Sequence, residues 1–84
     1  MHYTYVLLSS KDNKTYIGST AHLKRRFQEH NSGKVLSTRH RLPLQLVYFE
    51  ACPSEEAALA REKQLKTGFG RAYLKRRLGL VAQR

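Results

Sequence analysis

The sequence predicts an α+β fold in which a small three-stranded antiparallel sheet is flanked by about three helices, in the order β-β-α-β-α-α. Two β-branched and aromatic segments stand on either side of a polar turn at 9–14, as in a β-hairpin. A third such segment covers 44–50, and three segments with helical periodicity lie between or after these strands. At 84 residues the chain is expected to be a single domain, 1–84.

Two strands and a helix are predicted in the first half of the chain. The strands are Tyr3–Leu8 and Thr15–Gly18, and Gly18 is expected to supply the structural turn that follows them. Ser19 or Thr20 is expected to cap the helix, because either hydroxyl can accept a hydrogen bond from a free backbone N–H of the first turn. An Asn-Ser-Gly sequence is expected to end this helix.

The second half predicts one further strand and two helices. Leu44–Glu50 forms the strand. Ser54 is expected to cap a second helix that runs to about Lys66, with acidic residues in its electropositive first turn. The glycine-containing segment 67–70 is expected to separate this helix from a third one, Arg71 to about Leu80.

Positive charge dominates the composition. The chain has 16 Lys and Arg against 6 Asp and Glu, a formal net charge of +10 at pH 7. Such a field attracts polyanions and makes their binding depend on salt. Nucleic acid, either DNA or RNA, is therefore the expected partner.

Other classes of protein are disfavoured by the sequence. The longest apolar run, Tyr3–Leu8, is too short to span a bilayer, and no signal-peptide pattern precedes it. We therefore expect no membrane association and a cytoplasmic location. Cys52 is the single cysteine, so the chain can form neither an internal disulfide nor a CxxC zinc site.

The first helix contains two adjacent arginines that are not equivalent. At about 100° per residue, Leu23, Phe27 and His30 share one stripe, Arg26 lies beside that stripe, and Arg25 points nearly opposite. Arg26 is thus expected to be held at the edge of the core, with His30 one turn further on. Arg25 is expected to be solvated or to contact phosphate.

The second helix has a carboxylate, Glu62, on its apolar side. That side is formed by Ala58, Leu59 and Leu65. A carboxylate in such a position is costly unless it is paired or binds a metal. The residues alone leave two interpretations open, a salt bridge to Arg26 or Arg61, or a metal ligand.

The hairpin contributes two tyrosines to the same region. Any one tyrosine is readily explained by core packing, but consecutive hairpin strands can place Tyr5 and Tyr16 on one face near the basic helix. Two phenols beside an arginine, a histidine and a carboxylate form a constellation suited to phosphodiester cleavage.

These residues resemble the GIY-YIG nuclease superfamily, in particular its small single-domain bacterial branch, which is similar to the N-terminal domain of an excinuclease. The second half of the name motif stands intact as Tyr16-Ile17-Gly18, whereas Tyr3-Thr4-Tyr5 keeps only the final tyrosine of the first half. Arg26 follows Gly18 by eight residues, as the arginine of that family does. His30 matches a histidine of several members.

The resemblance implies a metal-dependent endonuclease that hydrolyses DNA with little sequence specificity. Glu62 would be the ligand of one divalent ion, Mg²⁺ or alternatively Mn²⁺, and Arg26 would bind the scissile phosphate. Tyr5 or Tyr16 would be the general base, with Tyr5 slightly favoured and His30 as a proton shuttle. The substrate would be branched or single-stranded DNA in repair or recombination, or a partner protein would supply specificity.

Further side chains around this constellation are expected to contact nucleic acid. They are Lys24, Arg25, Lys34, Thr38, Arg39, Arg41, Lys66 and Arg71. The main alternative is a non-catalytic nucleic-acid-binding module that retains the nuclease fold, and a role in docking to ribosomes or proteins is a third. A pure binder has no need of a carboxylate that faces phosphate, which favours the nuclease.

Overall fold

The computed structural model describes residues 1–79 and has the predicted element order. The elements are β1 His2–Ser9, β2 Thr15–Thr20, α1 Leu23–Asn31, β3 Leu44–Cys52, α2 Glu55–Leu65 and α3 Gly68–Leu78. The three strands form one antiparallel sheet, so the predicted α+β fold is confirmed. None of the helices within residues 1–79 has the length and apolar character needed to cross a membrane.

The sheet has the order β2-β1-β3, with β1 in the centre. Successive side chains of β1 point to opposite faces of the sheet, so this strand contributes to two separate cores. Tyr5 and Leu7 pack on the side of α1, whereas Val6 packs with Leu65 of α2 and Leu74 of α3 on the other side. The helices consequently cover both faces of the sheet, and β2 is left as an edge strand.

An irregularity in β3 lets that strand serve both cores. Val6 pairs with Tyr48 but Leu7 pairs with Leu46, so Val47 is an extra residue. Val47 and Tyr48 both pack against the α2–α3 core, and Leu46 packs against the α1 core. The bulge thus changes which face the following residues of β3 occupy.

The first helix begins later than expected. Ser19 and Thr20 belong to β2, because the strand stays paired to β1 up to Thr20 opposite Tyr3. His22 takes the N-cap position, and its backbone N–H donates to Thr20 Oγ1 over 3.0 Å. The prediction that Ser19 or Thr20 caps α1 is therefore wrong.

The third helix begins earlier than expected. Thr67 is its N-cap, since the Thr67 hydroxyl accepts a hydrogen bond from Gly70 N at 3.1 Å. A Cβ at Gly70 would lie 2.4 Å from Leu65 Cα, so glycine allows α3 to start in close contact with α2. The helix ends at Leu78, and the predicted end at Leu80 lies outside the described residues.

The second helix has the predicted cap but a different apolar side. Ser54 Oγ accepts from Ala57 N at 3.1 Å. Ala58 and Leu65 are buried, but Leu59 is 51% exposed, so placing Leu59 on the core-facing side was wrong. Neighbouring helical positions are about 100° apart, and the sheet covers only the side that contains Ala58.

The basic loop, 34–43, is fastened at both ends. The side-chain amide of Asn31 donates to Leu44 O and accepts from Leu44 N, both at 2.8 Å. Arg41 donates from Nε to Asp12 Oδ2 at 2.8 Å and from Nη2 to Lys14 O at 3.0 Å. The loop therefore forms a fixed wall beside the hairpin.

Candidate active site

Gly18 provides the space in which the Tyr5 ring lies. The two residues are opposite each other in the β1–β2 ladder. A Cβ on Gly18 would lie 2.6 Å from the Tyr5 hydroxyl oxygen and 2.7 Å from Cζ. Gly18 is in the middle of β2, so the predicted turn at this residue was wrong, and its glycine is explained by the close approach of the phenol.

The Tyr5 hydroxyl begins a buried chain of hydrogen bonds. It lies 2.9 Å from His30 Nε2, and His30 Nδ1 lies 2.7 Å from Thr38 Oγ1. All three side chains are buried, and they come from β1, α1 and the basic loop. The predicted contact of Thr38 with nucleic acid is wrong because its hydroxyl is enclosed; Thr38 instead holds the His30 ring in position.

His30 is neutral at neutral pH. Its pKa is lowered to about 4, mainly by burial and further by the positive charge of Arg26, with Glu29 opposing part of this effect. A neutral imidazole has one donor and one acceptor nitrogen. The ring can therefore accept a hydrogen bond from one hydroxyl while it donates one to the other.

Arg26 lies at the edge of this buried chain, as the helical periodicity predicted. Its Nη1 donates to Glu29 Oε1 over 3.1 Å, and its side chain is 38% exposed. Arg25, by contrast, is 68% exposed. Burial raises the pKa of Tyr5, and hydrogen bonding and positive charge from Arg26 counteract part of the rise. Tyr5 is thus a neutral phenol at neutral pH.

Tyr16 is the accessible member of the tyrosine pair. Its ring centroid lies 5.1 Å from that of His30 and 6.5 Å from that of Tyr5, and the residue is only partly buried. A cavity of about 250 Å³ opens on Tyr16 and is also lined by Lys66 and Arg71. A phosphate in this cavity would meet the phenol and two cationic side chains.

Glu62 approaches from the other side of the sheet edge, on α2. Its charge is the smallest of the named contributions to the raised pKa of Tyr5. Lys66 Nζ donates to Glu62 Oε2 at 2.7 Å. Glu62 is thus in a salt bridge, as one interpretation predicted, but the predicted partners were wrong, because Arg26 pairs with Glu29 and Arg61 pairs with Glu50.

Glu62 offers a single carboxylate to a hard divalent ion, and that carboxylate is paired with Lys66. Within residues 1–79, there is no group of three or more His, Cys, Asp or Glu side chains that could hold a metal. An ion here would rest on one carboxylate, water and substrate oxygens. Mg²⁺ accepts that arrangement, since it keeps several waters and often takes one or two carboxylates.

The other predicted contacts with nucleic acid divide into two groups. Lys24, Lys34, Arg39 and Arg71 are exposed and can reach a phosphate chain. Arg41 is engaged by Asp12 and Lys14, so it serves the loop instead; the same guanidinium lowers the pKa of Asp12 to about 2.

The sequence reasoning missed Glu29 and predicted a different role for Thr38. Glu29 orients Arg26, and Thr38 orients His30. The spacing of Glu29 to Arg26, three residues along one helix, was a usable signal. The contact from Thr38 comes from an irregular loop, whose side-chain directions follow no periodicity.

Comparison with known proteins finds relatives that match most of the chain. The sequence matches the GIY-YIG catalytic domain family over residues 1–77. A UPF0213 protein of Haloquadratum walsbyi is 43% identical over 67 residues, which cover 79% of this chain and 74% of that protein. A UPF0213 protein of Streptococcus pyogenes serotype M5 is 45% identical over 65 residues, with coverage of 76% and 70%.

A solved structure is also similar. The solution NMR structure of a UPF0213 protein from Bacillus halodurans has 37% sequence identity and a TM-score of 0.54, and the match covers 87% of this chain and 80% of that one. Its fold and the family match agree with the strand and helix order described above. This chain belongs to the GIY-YIG catalytic domain family.

Proposed function

We propose that the protein is a metal-dependent endonuclease that hydrolyses DNA phosphodiester bonds with little sequence specificity. The observation that carries the proposal is the buried Tyr5–His30 pair with the ring of Tyr16 beside it. To this group we add Arg26, from the same helix as His30, and Glu62, from α2. We further propose branched or single-stranded DNA as substrate, a cytoplasmic role in repair or recombination, and a partner protein where specificity is needed.

Arg26 is assigned to the scissile phosphate. Its guanidinium is partly exposed and already oriented by Glu29, so little side-chain freedom is lost when it binds an anion. A guanidinium can form two parallel hydrogen bonds with phosphate oxygens and stabilise the charge that builds up in the transition state.

Tyr16 is assigned as the general base. The sequence slightly favoured Tyr5, but its hydroxyl is enclosed, bonded to His30 and raised in pKa. Tyr16 is only partly buried and lines a cavity together with Lys66 and Arg71, where a phosphate and a water molecule can lie beside it. Tyr5 and His30 would then fix the position of the Tyr16 ring and pass protons within the site.

Glu62 is assigned as the metal ligand. A bound Mg²⁺ or Mn²⁺ would supply Lewis acidity and neutralise charge on the phosphate. To bind such an ion, the carboxylate must leave Lys66, whose ammonium group would then be available to a phosphate oxygen.

A non-catalytic binding module is the second candidate, and the Glu62–Lys66 ion pair favours it. An internal cation on the carboxylate removes the repulsion between Glu62 and a bound phosphate chain without a metal. In that case the basic surface would bind nucleic acid and the tyrosines would serve packing.

Cleavage assays separate the two candidates. Purified protein is incubated with supercoiled plasmid and with branched and single-stranded DNA, in Mg²⁺, in Mn²⁺ and in EDTA. The nuclease requires products with metal, none with EDTA, and a loss of cleavage in folded Glu62→Ala but not in Glu56→Ala. Glu56 is a matched control because it is an exposed glutamate in the first turn of the same helix. Cleavage that persists in EDTA, or in folded Glu62→Ala, contradicts the proposal.

A further inference from the structure

A second, larger depression lies on the α1 face of the sheet. It has a volume of about 720 Å³, within the range of about 300–1,000 Å³ typical of small-molecule sites. Its lining includes Tyr3, Phe27, Leu46 and Phe49, together with Lys24 and Arg25 of α1. We call this depression the aromatic groove.

The aromatic side chains of the groove are presented to solvent. Phe49 is 52% exposed although it stands in a strand, and its ring meets the Tyr3 ring edge-to-face, with centroids 6.1 Å apart. Exposed rings on a rigid strand are costly to leave uncovered and lose little conformational freedom when they bind. They suit a flat apolar ligand.

The charge at the groove narrows the choice of ligand. Lys24 and Arg25 line it, and the whole chain has a net charge of +10. A second copy of the chain would bring like charges together. An aromatic ring system that is linked to phosphate satisfies both the apolar floor and the cations, and a nucleobase on its sugar–phosphate chain is such a ligand.

The groove adjoins the candidate active site along both β1 and α1. Tyr3 and Tyr5 lie on the same face of β1, and a two-residue step in a strand is about 7 Å. Arg25 lines the groove, whereas the next residue, Arg26, faces Tyr5. One helix thus offers a guanidinium to each of two neighbouring positions on a nucleic-acid strand.

We infer that the aromatic groove binds one unstacked nucleobase, from a nucleotide close to the phosphate held by Arg26. The inference rests on the proposed function in that the ligand is nucleic acid, but it does not require that the strand is cut. Phe49 and Tyr3 supply the stacking surface, and Lys24 and Arg25 hold the adjoining phosphates.

The test measures binding in EDTA, so that cleavage does not interfere. A fluorescent oligothymidylate is compared with a chain of equal length and charge that lacks the bases. Phe49→Ala should weaken binding of the oligothymidylate by about 5- to 150-fold, the usual loss for one stacked base, and should leave binding of the base-free chain unchanged. Phe69→Ala is the matched control, since Phe69 is 74% exposed and belongs to α3, on the other face of the sheet.

A second variant reports on stacking directly. The chain has no tryptophan, so Phe49→Trp introduces a single indole fluorophore into the groove. Its emission should be quenched by the oligothymidylate and not by the base-free chain, and Phe69→Trp should respond to neither. Affinity should be retained in Phe49→Trp, because indole stacks on bases as well as phenyl does.

Three results would overturn the inference. The first is that Phe49→Ala binds the oligothymidylate as tightly as the wild-type protein does. The second is that the wild-type protein binds the oligothymidylate and the base-free chain with equal affinity. The third is that Phe49→Ala changes the protein from dimer to monomer without loss of oligonucleotide binding. The proposed nuclease function is tested independently, by the cleavage assay. Base-dependent binding without cleavage refutes the nuclease and keeps the groove, whereas cleavage without base dependence does the reverse.

Discussion

Replacing Gly18 with alanine would place a methyl group where the Tyr5 ring now lies. The new Cβ would be 2.6 Å from the hydroxyl oxygen and 2.7 Å from Cζ, and 3.3 Å from Cε2 of Tyr16. Ordinary contacts begin at 3.4 Å. The phenol is held on its far side by His30, so it can move only by giving up that hydrogen bond.

The expected loss of stability combines overpacking with the broken hydrogen bond. Overpacking in a close-packed core costs about 1–3 kcal/mol, and an unsatisfied buried polar group about 1–3 kcal/mol. The two effects act on the same Tyr5 side chain, so one rearrangement reduces both and they do not add fully. We therefore expect a total loss of about 2–4 kcal/mol in the free energy of unfolding. For a domain of this size that lowers Tm by about 10–25 °C.

Thermal unfolding followed by circular dichroism measures this loss. Gly68→Ala is the matched control, because a Cβ there would meet no atom of residues 1–79 within 4 Å. Alanine at Gly68 should leave Tm unchanged or raise it slightly, as alanine favours a helix over glycine. In a Tyr5→Phe background, Gly18→Ala should cost less, since the nearest clashing atom is gone. Equal Tm values for Gly18→Ala and Gly68→Ala would refute the reasoning.

Three further predictions concern the same site. The pKa of His30 is lower in the folded protein (about 4) than in the unfolded chain (6.5), so unfolding takes up protons and Tm should fall as pH falls from 6.5 towards 4; His30→Gln should show a shallower fall, and equal slopes would contradict this. Thr38→Val should lower stability by about 1–3 kcal/mol in a denaturant titration, because His30 Nδ1 loses its buried partner; an unchanged midpoint would count against the contact. Lys66→Met should raise the affinity for Mn²⁺ about two- to fivefold in calorimetry, because an exposed ion pair no longer competes for Glu62. The control Lys63→Met removes the same charge, and an equal gain in that variant would show that the lower net positive charge is responsible.

Local patterns in the sequence predicted the elements and the inequality of Arg25 and Arg26. The strand alternation and helix periodicity depend on neighbours within a few residues, so the element order and the side of α1 that packs on the core could be derived. The Glu62–Lys66 pair was also predictable from its i,i+4 spacing, whereas the predicted partners, Arg26 and Arg61, are paired elsewhere.

The features that were missed depend on contacts between distant parts of the chain. The role of Gly18 follows from its register opposite Tyr5, and register is a property of two strands together. The contact of Thr38 with His30 comes from a loop without repeating geometry. Leu59 is exposed because the sheet does not extend far enough under α2 to cover it. A helical wheel shows the direction of a side chain but not what lies opposite it.

The fastening of the basic loop has a consequence for the speed of binding. The Asn31–Leu44 pair closes the base of the loop, Thr38 ties it to α1 and Arg41 ties it to the hairpin turn. The basic wall beside the hairpin therefore exists before a nucleic-acid strand arrives. Binding then costs little conformational entropy in the loop. Association should therefore be fast and governed by long-range electrostatic attraction. In stopped-flow mixing we expect one association phase whose rate falls steeply with added salt. A slower, salt-independent phase would mean that the loop rearranges after contact.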